Sequence, residues 1–129
     1  MNVVADTHAL AWWLESNPKL SLIAKATLSR LDLTLLVPTM VLVEIKYMGA
    51  KLGITEYLAT EFARLREACD VLILPLSEDV ISRVSTNLNI HDAIIVASAL
   101  AYSARTGETV QAITRDVRIA ACGLVECVW

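Results

Sequence analysis

Short runs of β-branched and aliphatic residues alternate along this chain with longer stretches whose apolar residues recur at helical spacing, and that alternation restricts the fold more than any other feature. Val3 to Asp6, Leu33 to Val37, Val71 to Leu74, Val110 to Thr114 and Leu124 to Val128 read as strands. Thr7 is placed to cap a first helix lined by Leu10, Trp13 and Leu14, and a second runs from Ser21 to Leu31. Thr39 is a suitable N-cap for a third that reaches Leu52 before Gly53, and Thr55 with Glu56 opens a fourth bearing Leu58, Phe62 and Leu65. Ser77 caps a short helix, and the stretch from about His91 to Arg105 is apolar nearly all round, as a helix buried on most sides must be. Gly107 ends that helix, and Asp116 starts another brief one. Strands separated by helices need crossover connections, which produce a parallel sheet with helices on both faces. The expected class is therefore α/β.

With 129 residues, no internal repeat and no linker rich in Gly, Ser or Pro, the expected organisation is a single domain over residues 1–129. A composition that is 56% hydrophobic and 19% charged excludes a disordered chain and leaves apolar surface for a partner. The longest uncharged apolar runs, Leu35 to Val43 and Ala93 to Ala104, are too short to cross a bilayer as helices. The first residues read as a strand without a basic region or signal-type apolar stretch, so the expected location is the cytoplasm. Cys69, Cys122 and Cys127 form no CxxC pair, which points to buried thiols and not to a disulfide framework or a zinc site.

Ligands of an open parallel sheet bind beyond the carboxyl ends of its strands. Four acids map to that edge: Asp6 ends the first strand, Glu44 lies in the second turn of the third helix, Asp92 opens the long helix, and Asp116 follows the fourth strand. Carboxylates crowded together repel and raise one another's pKa, on the order of several kcal/mol for each uncompensated buried ion, so a cation belongs among them. Hard oxygen donors select Mg²⁺ or Mn²⁺, and such ions activate water and stabilise phosphodiester oxygens. Metal-assisted phosphodiester hydrolysis is the reaction class this arrangement supports.

Each acid also has a simpler use. Asp92 and Asp116 sit where aspartates commonly cap helices, whereas Glu44, among Val41, Leu42, Val43 and Ile45, needs a partner or a crevice to face. Thr114 and Arg115 fall close enough to the crevice to bring a hydroxyl and a cation, with Thr114 a candidate to orient a water. His8 and His91 are left outside the catalytic set. Trp12 and Trp13 have the chemistry to stack bases, but their spacing beside Leu10 and Leu14 is that of core residues.

In order and spacing, Val4-Ala5-Asp6-Thr7-His8-Ala9-Leu10, Val43-Glu44-Ile45, His91-Asp92-Ala93-Ile94-Ile95-Val96-Ala97 and Thr114-Arg115-Asp116 resemble the acidic motifs of PIN-domain ribonucleases. The length and the Asp-Thr-His start are most similar to VapC-type toxins of toxin-antitoxin pairs. The resemblance implies a three-layer α/β/α sandwich with a five-stranded parallel sheet and a Mg²⁺- or Mn²⁺-dependent endoribonuclease. It also implies a homodimer held in check by a cognate antitoxin. Asp6, Glu44 and Asp92 match the three core acids, and Asp116 matches a fourth, more variable one. Lys46 and Lys51 are candidates for phosphate contact or are solvated charges.

The formal net charge of −3 opposes broad nucleic-acid binding, but it is carried largely by the four candidate acids, so a confined RNA contact with modest salt dependence is expected. Receiver and haloacid-dehalogenase-type folds fit poorly, because Asp6 has no acidic neighbour, no Asp-x-Asp is present, and no lysine follows Lys51. An RNA-processing nuclease without a toxin role, or a silent PIN scaffold, remains as the alternative.

Overall fold

The computed structural model describes residues 1–129. Five parallel strands form its sheet: β1 (Asn2–Ala5), β2 (Thr34–Pro38), β3 (Asp70–Leu74), β4 (Val110–Ile113) and β5 (Glu126–Val128), in the order β3-β2-β1-β4-β5. Helices α1 (Thr7–Leu14), α2 (Leu22–Leu28), α3 (Thr39–Leu52), α4 (Thr55–Ala68), α5 (Glu78–Ser82), α6 (Ile90–Thr106) and α7 (Val117–Ala121) fill the connections. The α/β reading and the five-stranded parallel sheet are borne out.

The strand runs read from sequence shift by a residue or two at their ends. Asp6 and Thr114 lie one residue beyond β1 and β4, and β5 begins at Glu126 instead of Leu124. Thr7 is not the cap of α1; Asp6 is, its carboxylate accepting from the Ala9 N–H at 2.8 Å. No side chain caps α3, where Pro38 occupies the position before Thr39, and Asn89 caps α6 in front of Asp92. Gly53 (φ 70°) and Gly107 (φ 73°) end α3 and α6 in the left-handed conformation that favours glycine.

The sheet order explains the burial. Val3, Val4, Leu35, Leu36 and Ile113 on the three central strands are fully enclosed, whereas β3 at one edge alternates between exposed and covered residues. Helix α6 is buried continuously from Ala93 to Ala99, as its all-round apolar pattern requires. Its Ile95, Ala99 and Tyr102 join the main core, and Ala97 and Ala101 pack with Val80 of α5. On the outside, α3 leaves Val43 and Tyr47 exposed, apolar surface of the kind expected to meet a partner. No helix is long and apolar enough to cross a membrane.

From β1 the chain moves outward through β2 to β3, then returns to the other side of β1 for β4 and β5. Neighbouring strands β1 and β4 thus send their following segments to different sides, leaving a crevice at their carboxyl ends. Register pairs Val4 with Ala112 and Ala5 with Ile113, which brings Asp6 and Thr114 side by side at the mouth of that crevice.

Candidate active site

All four sequence-nominated acids line one cleft of about 490 Å³ at this edge, together with Thr7, His8, Trp12, Asn89, His91, Arg115 and Arg118. Asp6 is the most firmly held. Its backbone N–H continues the sheet ladder to the Ile113 carbonyl at 3.1 Å, Oδ1 caps α1, and Oδ2 accepts from the Thr114 hydroxyl. Thr114 is buried and its Oγ1 also accepts the Asp116 N–H at 3.0 Å. One hydroxyl therefore ties the end of β1 to the start of the α7 turn. The sequence makes Thr114 a candidate to orient a water; in the structure its hydroxyl hydrogen is directed to Asp6, where it can orient that carboxylate.

Glu44 projects from the second turn of α3. Its Oε1 accepts from the buried Thr7 hydroxyl at 2.8 Å, and its Oε2 lies 3.1 Å from His91 Nδ1. The partner that its apolar sequence context demanded is thus found on two other helices. Asp92 stands in the first turn of α6, where Asn89 accepts its N–H at 2.9 Å and donates back to Oδ2. Asp116 caps α7, accepting the Arg118 N–H at 2.8 Å and pairing with the Arg118 guanidinium at 3.1 Å. Asp116 therefore does serve as a cap, while still facing the cleft.

The electrostatics follow from these partners. Burial raises the Asp6 pKa; hydrogen bonds from Thr114 and Ala9 and the nearby His8 oppose the rise, while Asp116 adds to it. Burial also raises Asp92, reinforced by Asp116 and Asp6 and opposed by the Asn89 hydrogen bond. The Arg118 hydrogen bond holds Asp116 below its ordinary value. Asp6, Asp92 and Asp116 thus sense one another's charge, which a cation among them would relieve. An all-oxygen donor set of this kind suits a hard divalent ion. With the side chains turned toward their protein partners, no three of the acids or histidines close on a common point as metal ligands do.

Sequence reasoning did not find Asn89, the link from His91 to Glu44, or Arg118. The spacing Asn89-x-x-Asp92 was a readable cap signal. Arg118, two residues past Asp116, carried no signal, because only the fold sends its side chain into the cleft. Trp12, assigned to the core, is buried but also forms a cleft wall, with the Arg115 guanidinium carbon 4.6 Å from its ring centroid.

The fold and this acidic crevice define a class, and a family comparison identifies it: the PIN domain model matches residues 3–123, and the chain belongs to the PIN domain family. PIN domains are in general nucleases, and those nucleases in general use divalent metal ions. No curated protein matches the chain by sequence. Among solved structures it is similar to the crystal structure of VapBC2 from Rickettsia felis bound to a promoter DNA fragment, at 14% identity and a TM-score of 0.74. That match covers 99% of this chain and 98% of the other. A domain of a protein of unknown function from Methanocaldococcus jannaschii is similar at 18% identity and a TM-score of 0.57, covering 99% and 89%. Both likenesses concern the fold.

Proposed function

We propose that this chain is a Mg²⁺- or Mn²⁺-dependent endoribonuclease and the toxin of a toxin-antitoxin pair, with Asp6, Glu44 and Asp92 as metal-binding catalytic acids. The observation that carries the reading is the meeting of Asp6, Glu44, Asp92 and Asp116 in one cleft at the β1/β4 switch point of a PIN domain. Asp116 acts either as a fourth ligand or as support for water. When bound, the ion supplies Lewis acidity toward water and the scissile phosphate.

The protein's own part is preorganisation. Thr114 and the α1 N-terminus hold Asp6 in one orientation, and Thr7 fixes one oxygen of Glu44. Asn89 keeps Asp92 at the mouth of α6. Arg118 limits the repulsion between Asp116 and its neighbours until a competing cation arrives. The Asp-Thr-His motif and the whole-chain likeness to the VapBC2 fold support the toxin role and an antitoxin partner, and a homodimer in the cytoplasm is proposed with them from the family resemblance alone.

Cleavage of an unstructured RNA should require Mg²⁺ or Mn²⁺, stop with a chelator, and disappear in Asp6→Asn. Unchanged cleavage by a clean Asp6→Asn preparation defeats the metal-site reading. Growth arrest on expression, relieved by Glu44→Gln, separates a toxin from an RNA-processing nuclease; absence of both arrest and cleavage identifies a silent module.

A further inference from the structure

The cleft contains two arginines in contrasting states. Arg118 is committed to Asp116 by two side-chain hydrogen bonds. Arg115, although it stands next to Asp116 in a cleft lined by four carboxylates, forms no ion pair at all. Its guanidinium instead sits over the Trp12 ring, 4.6 Å from the centroid. That indole is itself fixed: Trp129 packs edge-on against it at 6.0 Å, His8 is tilted against it at 5.6 Å, and the side chain is almost fully buried.

The backbone on either side of Arg115 is equally constrained. The Thr114 N–H donates to the Val128 carbonyl, and the Asp116 N–H donates to Thr114 Oγ1. Arg115 is exposed between these two anchored residues. An arginine whose head rests on a fixed ring, whose flanking residues are anchored, and whose N–H donors are not spent on a carboxylate, is prepared for an anion in the fork geometry that suits phosphate. It also lies one residue from the acid cluster, where a chain of phosphates must approach a surface that otherwise repels it.

We propose that Arg115, held over the indole of Trp12, is the substrate-positioning residue of the cleft and binds a backbone phosphate of the RNA adjoining the one that is cut. This rests on the nuclease reading above. Trp12 is a positioning residue that acts through Arg115. The pair explains how an acidic protein admits RNA at one place: the cation is attached to an aromatic ring, so the neighbouring carboxylates do not consume it.

The test uses the full chain and an unstructured labelled oligoribonucleotide, with binding measured in chelator and cleavage in Mn²⁺, both across a salt series. Arg115→Ala should raise KM and weaken binding by about tenfold, change kcat much less, and flatten the salt dependence by about 0.7, the slope of one phosphate contact on a single strand. Arg115→Lys should restore the salt slope but only part of the affinity, because a point charge lacks the fork. Trp12→Leu should raise KM and leave the salt slope intact; Trp12→Phe, which keeps an aromatic ring, should recover most of the loss. If wild type cleaves and Arg115→Ala retains both its KM and its salt slope, or loses kcat alone, the Arg115 assignment is overturned and the nuclease reading stands. If wild type neither binds nor cleaves RNA, both fall together.

Discussion

The inner wall of the cleft and its outer rim differ in how deeply the donors that hold their acids are buried. On the inner wall, Asp6 and Glu44 accept hydrogen bonds from Thr114 and Thr7, neutral hydroxyls that are only 3% and 6% exposed. On the rim, Asp116 is held by Arg118, whose side chain is 70% exposed, and Asp92 by the exposed Asn89. A buried neutral donor orients a carboxylate without cancelling its charge. A solvated arginine cancels charge but is readily displaced, since exposed ion pairs are weak and screened by salt. The inner wall is therefore built for fixed geometry and the rim for exchange, a combination suited to a site that takes up a cation and a phosphate in succession.

The largest effect that sharpens this contrast is expected at Asp6. Asp6→Asn should reduce metal-dependent cleavage below detection while preserving the cap, because the amide oxygen still accepts from Ala9. Its stability effect has a defined sign. The folded pKa of Asp6 lies above its ordinary 3.8, so its favourable contribution is complete below that value and is lost as pH rises through the raised one. Thermal melts in chelator should show wild type falling behind Asp6→Asn as pH increases across this window. A gap that instead widens toward acid would contradict the burial account.

Thr114→Val is expected next, with a loss of about 1 to 3 kcal/mol in denaturant unfolding, because it removes one donor and strands the Asp116 N–H. Its cleavage at subsaturating metal should drop by roughly 10- to 100-fold, the range for residues that orient metal ligands. Thr7→Val removes a single bond to Glu44 and should cost about 1 kcal/mol, with a smaller effect on apparent metal affinity. If Thr7→Val and Thr114→Val leave metal affinity untouched, the inner wall is not the oriented part of the site.

Arg118→Ala should have the smallest effect on stability and an informative one on titration. Arg118 depresses the Asp116 pKa, so its contribution is present above pH 3.8 and fades as pH falls through the lowered value. Without Arg118 the Asp116 resonance followed by NMR should titrate at higher pH, and the variant should converge with wild type in acid. An unmoved Asp116 titration would remove the rim from the comparison.

Much of this arrangement was legible before any coordinates. Alternating periodicity gave the parallel α/β class, and the rule that ligands sit beyond strand carboxyl ends put Asp6, Glu44, Asp92 and Asp116 on one edge. Local caps were less legible: Thr7 and Asp6 are adjacent and both are good cap residues, and the choice was decided by Glu44, which recruits the Thr7 hydroxyl from another helix. The same limit concealed the meeting of His91 with Glu44, 47 positions apart in sequence and 3.1 Å apart in space. Trp12 satisfied the helical pattern of a core residue and is one. Nothing in that pattern reveals that its ring also borders the cleft, since periodicity reports which face of a helix turns inward and not what lies at the boundary.

Strand order also has a consequence for synthesis. The sheet places β4 directly beside β1, so Asp6 acquires its Thr114 partner, 108 residues further along, only after β4 has been made. Until β4 leaves the ribosome, the emerging polypeptide carries three of its acids without the neighbour that aligns the first of them. The contact that orients Asp6 therefore forms late, after α3 and α6 have already supplied Glu44 and Asp92.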